Sequence, residues 1–493
     1  MKFQSTRETV SSHLSAAQVI KQGLANDGGL FVPESIPALT ADEIAALCKA
    51  DYPTRAATIL GKFLSDYTYE ELLADCRAAY APESFVGGAA PLVALDDTVH
   101  SLELWHGPTA AFKDMALQIM PRLLSRALVK TGEERTALIL VATSGDTGKA
   151  ALEGYKDIER IKIAVFYPEN GVSRVQKLQM QTQTGDNVYV CAIEGNFDDA
   201  QTGVKRIFSD AEIAAQLDAK GVFLSSANSI NWGRLAPQIV YYVSAYCDLL
   251  NAGKLKMGEP MNVTVPTGNF GNIFAAYLAK RMGLPIDQLI CASNKNNILT
   301  DFLNSGTYDR NRDFHLTMSP SMDILISSNL ERLLYFTAGA ERTAAYMKSL
   351  NTTGAYTVDT DVKAEIDTCF RGYFADEQTT AAMIQKTMKE HGYLADTHTA
   401  VALSAAEQYI AETGDKKPMV VASTASPYKF AADVYASLYG EKPADALAAL
   451  DNLSAQTNTE IPYPLKGIGE RTVRFTDVVP REDMWEAVRR YLG

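Results

Sequence analysis

The stretch PTGNFGN, residues 266–272, has the composition of a phosphate-binding loop. It follows the apolar run MNVTV and precedes the helical pattern IFAAYLAKRMG, so it stands where a strand passes into a helix. Gly268 and Gly271 allow the backbone to come close to a ligand, and backbone N–H groups at a helix N-terminus favour phosphate. Glycines in such a loop also serve simple turns, so the pattern indicates a phosphate site without establishing one.

A second loop, ATSGDTGKA at residues 142–150, offers hydroxyl groups at another junction of a strand and a helix. It departs from the nucleotide-binding pattern G-x-x-x-x-G-K-[ST], which would need a glycine in place of Thr143 and a hydroxyl in place of Ala150. Hydroxyls and backbone amides at a helix start could instead hold a small carboxylate. An NTP-driven protein remains an alternative with less support.

One lysine lies in the otherwise apolar stretch LELWHGPTAAFKDMALQ, residues 102–118. From Phe112 to Ala127, apolar residues recur at helical spacing, which predicts one amphipathic helix. In such a helix Lys113 would ordinarily be a surface residue whose stem lies along apolar neighbours. Its surroundings therefore decide whether the amine has a chemical role.

Composition restricts the class of protein. With 493 residues, 47% of them hydrophobic and 21% charged, the chain is expected to form two or three globular domains. A net charge of −13 argues against a general nucleic-acid or anionic-membrane surface. The cysteines and histidines lack the spacing of disulfide frameworks or metal sites, so no metal is expected. No signal-peptide core or run of roughly 20 apolar residues is present, so the expected compartment is the cytoplasm.

The order of apolar runs and helical patterns predicts an α/β fold with doubly wound parallel sheets after a mainly helical N-terminal domain. Residues 1–92 are expected to form that N-terminal domain, 93–455 the α/β core, and 456–493 a C-terminal segment on the core. Residues 340–413 are predicted to be mostly helical. Six runs are expected to be strands, namely TALILVA, IKIAVFY, NVYVCAI, VFLSSA, MNVTVP and PMVVAST.

Ligands of open parallel sheets lie beyond the carboxyl ends of the strands. Four polar loops occupy such positions, at residues 143–148, 226–234, 266–272 and 423–429. We expect these loops to meet at one site.

Four motifs that carry these features occur in one order along the chain, HGPTAAFKD, TSGDTG, GNFGN and STASP. Together with GLANDGGLFVPE, SANSINWGRLAPQ, SPSMDILISSNLER and ADTHTAVA, they resemble the threonine synthase family of pyridoxal-phosphate enzymes, which has the tryptophan-synthase-β architecture. The resemblance spans nearly the whole length. It implies fold type II of these enzymes, with two parallel-sheet domains in the core. The segment at about residues 133–230 is expected to be the mobile part, because it carries the hydroxyls of the TSGDTG loop.

The resemblance implies that pyridoxal 5'-phosphate is the cofactor and that Lys113 is the catalytic residue. Lys113 would bond to the cofactor aldehyde and, once released, move protons at the substrate Cα and Cβ, and partial burial beside Phe112 would lower its pKa. Thr424 would face the pyridine nitrogen with a neutral hydroxyl. The cofactor phosphate would be held by Gly268, Asn269, Phe270, Gly271 and Asn272.

The substrate that the resemblance implies is O-phosphohomoserine, which would react with water to give L-threonine and phosphate. This reaction combines elimination of phosphate from Cγ with addition of water at Cβ. The substrate carboxylate would meet Thr143 and Ser144. The substrate phosphate would meet Thr147, Ser229, Asn269 and the guanidinium fork of Arg234.

Three residues differ from the family pattern. This chain reads TASPYKF where relatives read TAHPAKF, so Ser426 and Tyr428 stand next to the implied ring-nitrogen site. Asp146 stands where many members of the wider class have an asparagine that bonds the cofactor hydroxyl. No role is assigned to Asp146.

Two other functions are compatible with these motifs. One is another lyase of the same fold, such as a serine or threonine dehydratase, which would have no substrate phosphate for Arg234 to bind. The other is a non-catalytic relative that binds the cofactor, and the presence of Lys113 argues against it. In each case we expect a monomer or homodimer that acts on small molecules and binds neither nucleic acid nor membranes.

Overall fold

The computed structural model describes residues 1–8 and 12–493. A capping box begins the second helix, because Thr40 accepts a hydrogen bond from the Glu43 amide and Glu43 accepts one from the Thr40 amide. The elements of the N-terminal region within the described residues are β1 (Phe3–Ser5), α1 (Ala16–Gln22), β2 (Phe31–Pro33), α2 (Ala41–Leu47), α3 (Tyr52–Phe63) and α4 (Tyr69–Ala79).

The segment that contains Lys113 forms two helices, so the prediction of one continuous helix from Phe112 to Ala127 is wrong. Pro121 is the cause, because it has no N–H to donate to the carbonyl of Leu117 four residues earlier. The elements of this part of the chain are β3 (Leu92–Ala94), β4 (Val99–Glu103), α5 (Asp114–Leu117) and α6 (Met120–Lys130).

Strands and helices alternate in the next part of the chain. The predicted strand TALILVA coincides with the first of these strands, and three further predicted strands lie within a few residues of the observed ones. The elements are β5 (Thr136–Ala142), α7 (Asp146–Tyr155), β6 (Ile161–Pro168), α8 (Arg174–Gln181), β7 (Val188–Glu194), α9 (Phe197–Ser209), α10 (Ala211–Ala219) and β8 (Val222–Ser225).

The second half of the core is rich in helices but includes two strands within residues 340–413, where mainly helices were predicted. Its elements are α11 (Trp232–Asn251), β9 (Met261–Pro266), α12 (Gly271–Arg281), β10 (Ile286–Ser293), α13 (Ile298–Ser305), β11 (Thr307–Asp309), α14 (Leu330–Ala338), α15 (Ala340–Thr353), β12 (Ala355–Thr357), α16 (Thr360–Asp367), β13 (Phe370–Phe374), α17 (Glu377–His391), α18 (Thr397–Thr413), β14 (Met419–Ser423), α19 (Ala431–Tyr439), α20 (Ala446–Thr457), β15 (Val478–Pro480) and α21 (Met484–Leu492). Short 3-10 helices cover Pro320–Met322, Pro427–Phe430, Ile468–Glu470 and Arg481–Asp483.

Two larger sheets organise the molecule. The six-stranded sheet has the order β13-β10-β9-β14-β4-β3 and is parallel except for the antiparallel pair of β3 and β4. The five-stranded sheet has the order β15-β7-β6-β5-β8 and is parallel throughout. The C-terminal segment therefore supplies an edge strand, β15, to the second sheet.

The N-terminal helices have no separate core of their own. α1 packs against α6, and α3 packs against α11, so that residues such as Ile59 and Trp232 belong to one hydrophobic cluster that extends to Val263 in β9. No helix within residues 1–8 and 12–493 combines the length and hydrophobicity needed to span a bilayer. In the same described residues, His, Cys, Asp and Glu side chains form no group of three or more that could hold a metal ion.

Candidate active site

Lys113 lies where the loop before α5 meets the loop after β14. The Phe112 amide donates a hydrogen bond to the Thr424 carbonyl at 2.8 Å, and the Ser426 amide donates one to the Ala110 carbonyl at 3.1 Å. These two bonds fix Lys113, which caps α5, beside the loop that follows β14. The structure thereby brings together two of the residues predicted for the cofactor site, Lys113 and Thr424.

The Lys113 side chain is only 13% exposed, so its interpretation as a surface residue is wrong. Its Nζ lies 5.1 Å from the centre of the Phe112 ring and 4.0 Å from Oδ2 of Asp146. Burial lowers the pKa of the Lys113 amine. The Asp146 carboxylate opposes this shift, whereas the positive charges of Lys429 and Arg234 add to it.

Asp114, the residue after Lys113, is also buried. Its carboxylate accepts hydrogen bonds from the Thr109 amide at 2.8 Å and from the Thr109 hydroxyl at 2.7 Å. Burial raises the pKa of Asp114 to about 6 in spite of these bonds. This contact ties the turn HGPT to the start of α5, and Gly107 is required in that turn because a β-carbon there would lie 2.6 Å from Asp114.

The glycine loop has the tight approach that its sequence predicts. A β-carbon on Gly268 would lie 2.7 Å from the carbonyl oxygen of Ser321, so only glycine fits there. The Gly268 carbonyl accepts a hydrogen bond from the Ser327 hydroxyl at 2.7 Å. Phe270 has a left-handed φ of +62° and turns the chain into α12, which begins at Gly271.

Asn272, in the first turn of α12, supplies a test of whether this loop fits a phosphate. Its Oδ1 accepts hydrogen bonds from the hydroxyls of Tyr241, at 2.7 Å, and Tyr242. Its Nδ2 is buried without a hydrogen-bond partner in the described residues, and an unpaired buried donor is costly. A helix N-terminus, a glycine that no larger residue could replace, and an unpaired amide donor together fit the phosphate of a cofactor.

The loop TSGDTG is held by one of its own hydroxyls. Thr143 is buried, and its Oγ1 accepts hydrogen bonds from the Gly145 amide at 3.0 Å and the Gly148 amide at 2.9 Å. Ser144 is exposed and Thr147 is half-buried. Thr143 therefore shapes the loop, and its hydroxyl proton remains available for a ligand.

The side chain of Lys149 is not oriented like the lysine of a nucleotide-binding loop. Its Nζ pairs with Oε2 of Glu153 at 2.9 Å and with the side chain of Gln183. A nucleotide-binding lysine must instead point towards phosphates. The geometry therefore disfavours the NTP-driven alternative.

Arg234, in the first turn of α11, is a buried cation without a carboxylate partner among the described residues. Its Nη1 donates to the Ala227 carbonyl at 2.5 Å, while its Nε has no hydrogen-bond partner in that part of the chain. Burial lowers the pKa of the Arg234 guanidinium to about 10. A buried guanidinium with unused donors is suited to bind an anion.

Asn329 joins two of the predicted loops and was not identified from the sequence, although it lies in the quoted motif SPSMDILISSNLER. Its Nδ2 donates to the Asn269 carbonyl at 3.0 Å and, at 3.4 Å, to the carbonyl of the half-buried Ser229. The loops NSINWGR and GNFGN are thereby held side by side.

His398 was also missed, although its motif ADTHTAVA was recognised. Its Nδ1 lies 2.7 Å from Oδ2 of Asp396, and its Nε2 accepts a hydrogen bond from the Ser321 amide at 3.1 Å. The Asp396 partner therefore selects the tautomer with the proton on Nδ1. Since the Ser321 carbonyl contacts Gly268, His398 supports the glycine loop from behind.

The two departures in TASPYKF have structural explanations. The Ser426 side chain accepts a hydrogen bond from the Tyr428 amide at 3.3 Å and so starts a 3-10 helix. The Tyr428 hydroxyl donates to the Thr459 carbonyl at 2.9 Å and thereby binds the start of the C-terminal segment.

Lys429 in the same motif is a further residue that sequence reasoning missed. Its Nζ pairs with Oδ1 of Asp146 at 2.7 Å. This ion pair joins the loop after β14 to the loop after β5. The contacts of Asn329 join the other two predicted loops, and the charge of Arg234 acts on the Lys113 amine, so the two pairs of loops lie next to each other.

Comparisons with known proteins agree with this geometry. Residues 2–80 match the family described as threonine synthase N terminus, 87–425 the pyridoxal-phosphate dependent enzymes, and 399–492 the threonine synthase C-terminal family. The chain is 40% identical over 434 residues to threonine synthase-like 1 of Homo sapiens, which covers 86% of this chain but only 58% of that protein. It is 40% identical over 453 residues to threonine synthase of Pseudomonas aeruginosa, covering 90% of this chain and 92% of that one.

Among solved structures, the pyridoxal-phosphate-bound threonine synthase from Brucella melitensis has a TM-score of 0.88 with 38% sequence identity. The match covers 100% of this chain and 98% of that chain. These matches confirm the family resemblance, the α/β class with parallel sheets and the cofactor predicted from the motifs. The chain belongs to the threonine synthase family of pyridoxal-phosphate dependent enzymes.

Proposed function

We propose that this protein is a threonine synthase, which converts O-phosphohomoserine and water into L-threonine and phosphate in the cytoplasm. The observation that supports the proposal is that two separate groups of donors suited to a phosphate have members without a hydrogen-bond partner in the described residues. One is the glycine loop with the unpaired Nδ2 of Asn272, and the other is the buried guanidinium of Arg234 with its unpaired Nε. A dehydratase needs a phosphate site for the cofactor only, whereas a synthase acting on a phosphorylated substrate needs both.

The residues of the first place fit pyridoxal phosphate. Gly268, Asn269, Phe270, Gly271 and Asn272 would hold its phosphate, Thr424 would lie at its ring nitrogen, and Lys113 would attach to its aldehyde beside Phe112. When bound, the cofactor supplies an electron sink that stabilises negative charge at the substrate Cα.

Lys113 is the group that moves protons in this proposal. Its amine is largely buried, and burial lowers its pKa, so that the uncharged form is reached at a lower pH than in an exposed lysine. An uncharged amine can accept a proton from Cα and later transfer protons at Cβ, where water adds. Removal of this amine should therefore stop the reaction.

The substrate would be oriented by its two anionic ends. The loop of Thr143 and Ser144, at the start of α7, would hold the carboxylate, because the exposed Ser144 hydroxyl, the hydroxyl proton of the buried Thr143 and the amides of the helix start are available there. Arg234 would hold the substrate phosphate, together with Thr147, Ser229 and Asn269. As phosphate leaves from Cγ, its charge grows, and a bidentate guanidinium stabilises that charge more strongly than the ground state.

Water has to be excluded until phosphate has departed. The segment 133–230, which carries the carboxylate loop, would close over the substrate for this purpose. Its strands belong to the five-stranded sheet, whereas Lys113, Thr424 and the glycine loop belong to elements of the six-stranded sheet or its loops. A movement of one sheet against the other would therefore close the site without altering the cofactor cradle.

The test is to supply O-phosphohomoserine to the purified protein and to measure phosphate and threonine in the same sample. Equal amounts of both products are expected, and Lys113→Ala should form neither. Release of phosphate with ammonia and a 2-oxo acid, or release of ammonia from serine or threonine at a comparable kcat/KM, would identify another lyase. Binding of pyridoxal phosphate without any turnover would indicate a non-catalytic relative.

A further inference from the structure

Lys429 is a buried cation for which the proposed reaction provides no task. Its side chain is fully buried. Its Nζ donates to the Thr109 carbonyl at 3.1 Å and forms an ion pair with Oδ1 of Asp146 at 2.7 Å. A buried charge is retained at a cost unless it is paired, so the Asp146 carboxylate accounts for the burial of Lys429.

Asp146 faces two lysines with its two oxygens. Oδ1 accepts from Lys429 and, at 3.0 Å, from Nε2 of Gln176, whereas Oδ2 lies 4.0 Å from Nζ of Lys113. Lys429 is the principal charged partner of this carboxylate, because it lies 2.7 Å from Oδ1 whereas Lys113 lies 4.0 Å from Oδ2. The Gln176 bond holds Oδ1 in place. Although burial raises the pKa of Asp146, Lys429 and then Lys113 hold it well below its usual value, so the carboxylate is ionised.

Removal of Lys429 would leave Lys113 as the nearest cation to Asp146. A buried carboxylate without a counterion would then stabilise the ammonium form of Lys113, and an ammonium group can neither attack an aldehyde nor accept a proton. Three elements other than that of Lys113 contribute charges near its amine: α7 with Asp146, the 3-10 helix after β14 with Lys429, and α11 with Arg234. Asp114 adds a carboxyl group from the same helix as Lys113.

We propose that Lys429 is a positioning residue which, by holding the Asp146 carboxylate in its own ion pair, prevents that carboxylate from capturing the Lys113 amine. Lys429 therefore acts through Asp146. The inference rests on the proposed function only in that Lys113 is taken to be the reactive amine. It concerns the proton affinity of one side chain, which can be measured without turnover.

The experiment is competitive labelling of Lys113 with isotope-coded acetic anhydride in the full-length protein after removal of the cofactor. The extent of Lys113 acetylation, measured by mass spectrometry between pH 6 and 11, gives the pH at which half of the amine is uncharged. Lys429→Met is expected to raise this midpoint by about one pH unit, so that labelling at neutral pH falls about tenfold. The rate at which pyridoxal phosphate binds the cofactor-free protein should shift in the same direction.

Lys149→Met is the matched control. Lys149 is also a buried lysine of this region and is paired with a carboxylate, but that carboxylate is Glu153, at 2.9 Å, and not Asp146. Its replacement should leave the Lys113 midpoint unchanged. An equal shift in both variants would show a general effect of removing buried charge and would overturn the proposal.

The double variant Asp146→Asn/Lys429→Met tests the route through Asp146 and keeps the proposal falsifiable if Lys429→Met does not fold. It removes both charges of the pair and leaves neither unpaired. The Lys113 midpoint should then lie at or below that of the unaltered protein. A midpoint as high as that of Lys429→Met, or an unchanged midpoint in Lys429→Met itself, would refute the role of Lys429, whereas failure of O-phosphohomoserine turnover alone would refute only the proposed function.

Discussion

Replacement of Gly154 by alanine adds one methyl group and should lower both the stability of the protein and its activity. Gly154 lies in α7, and a β-carbon there would be 1.8 Å from the carbonyl oxygen of Leu117, the last residue of α5. Since Pro121 cannot donate to that carbonyl, it is free to face α7. The two helices begin at or next to Asp146 and Lys113, so their spacing governs the distance between these side chains.

Gly154→Ala should have two opposed effects. Alanine favours a helix by about 1 kcal/mol relative to glycine. The added methyl must, however, retreat from 1.8 Å to the 3.4 Å at which ordinary contact with the Leu117 oxygen begins. Overpacking of this kind costs about 1 to 3 kcal/mol or more, and a backbone oxygen cannot rotate away as a flexible side chain can. We expect a net loss of about 2 kcal/mol and a displaced α5.

The assay is urea unfolding followed by circular dichroism, together with kcat/KM for O-phosphohomoserine. Gly61→Ala is the control, because Gly61 lies within α3 and a β-carbon there would meet only Cδ1 of Leu72 at 3.6 Å. That variant should unfold at a slightly higher urea concentration and retain full activity. If Gly154→Ala were as stable and as active as Gly61→Ala, the argument that α7 and α5 position Lys113 through this contact would be wrong.

Four further outcomes are expected. Lys113→Ala should lose both turnover and the borohydride-reducible link to pyridoxal phosphate while its circular dichroism stays unchanged. Gly268→Ala should weaken pyridoxal-phosphate retention at least tenfold in equilibrium dialysis, because the new methyl would lie 2.7 Å from the Ser321 carbonyl. Arg234→Lys should lower kcat/KM for O-phosphohomoserine by about 2 to 4 kcal/mol of transition-state binding, with little effect on any deamination of threonine. Burial raises the pKa of Asp114 to about 6, above its unfolded value near 4, so its ionisation costs stability fully above pH 6, and this cost declines as the pH falls from about 6 to about 4. The urea midpoint of the protein relative to Asp114→Asn should therefore be higher at pH 5 than at pH 7.5.

Sequence patterns located the strands that are continuous and strongly apolar. TALILVA and MNVTVP coincide with β5 and β9, because buried parallel strands consist of such runs. β10 was not identified, since Asp287 and Gln288 interrupt its apolar pattern. The three-residue strand β15 has no local signal, because it exists only through its pairing with β7.

The split of the Lys113 helix was foreseeable from one residue that apolar periodicity ignores. Pro121 cannot donate a helical hydrogen bond to the Leu117 carbonyl. That carbonyl instead lies close to Gly154, which belongs to another helix. Periodicity records which face of a segment is buried, but not whether each carbonyl has a donor. The prediction therefore succeeded for α6 and failed for the turn at residues 118–119.

Some residues of the candidate site can be recognised from local sequence, whereas others depend on partners that are distant in the chain. The loop residues could be proposed from the sequence because glycines, hydroxyls and helix starts are local features, and the family motifs suggested their roles. Lys429, Asn329 and His398 lie inside motifs that had been noticed, yet each acts through a partner far away in the chain, Asp146, Asn269 and Ser321. No spacing rule relates such pairs, so only the folded structure reveals them.

The ion pair of Lys429 and Asp146 connects the two larger sheets next to Lys113. Lys113 and Lys429 are positioned by loops at the six-stranded sheet, whereas Asp146 begins α7 beside the five-stranded sheet. A displacement that moves α7 towards or away from the six-stranded sheet would change the two distances, 2.7 Å to Lys429 and 4.0 Å to Lys113, at which Asp146 meets the lysines. In a buried setting the energy of a charge pair depends steeply on such distances. If the five-stranded sheet moves to close the site as proposed, the same movement would also change how readily the Lys113 amine gives up its proton.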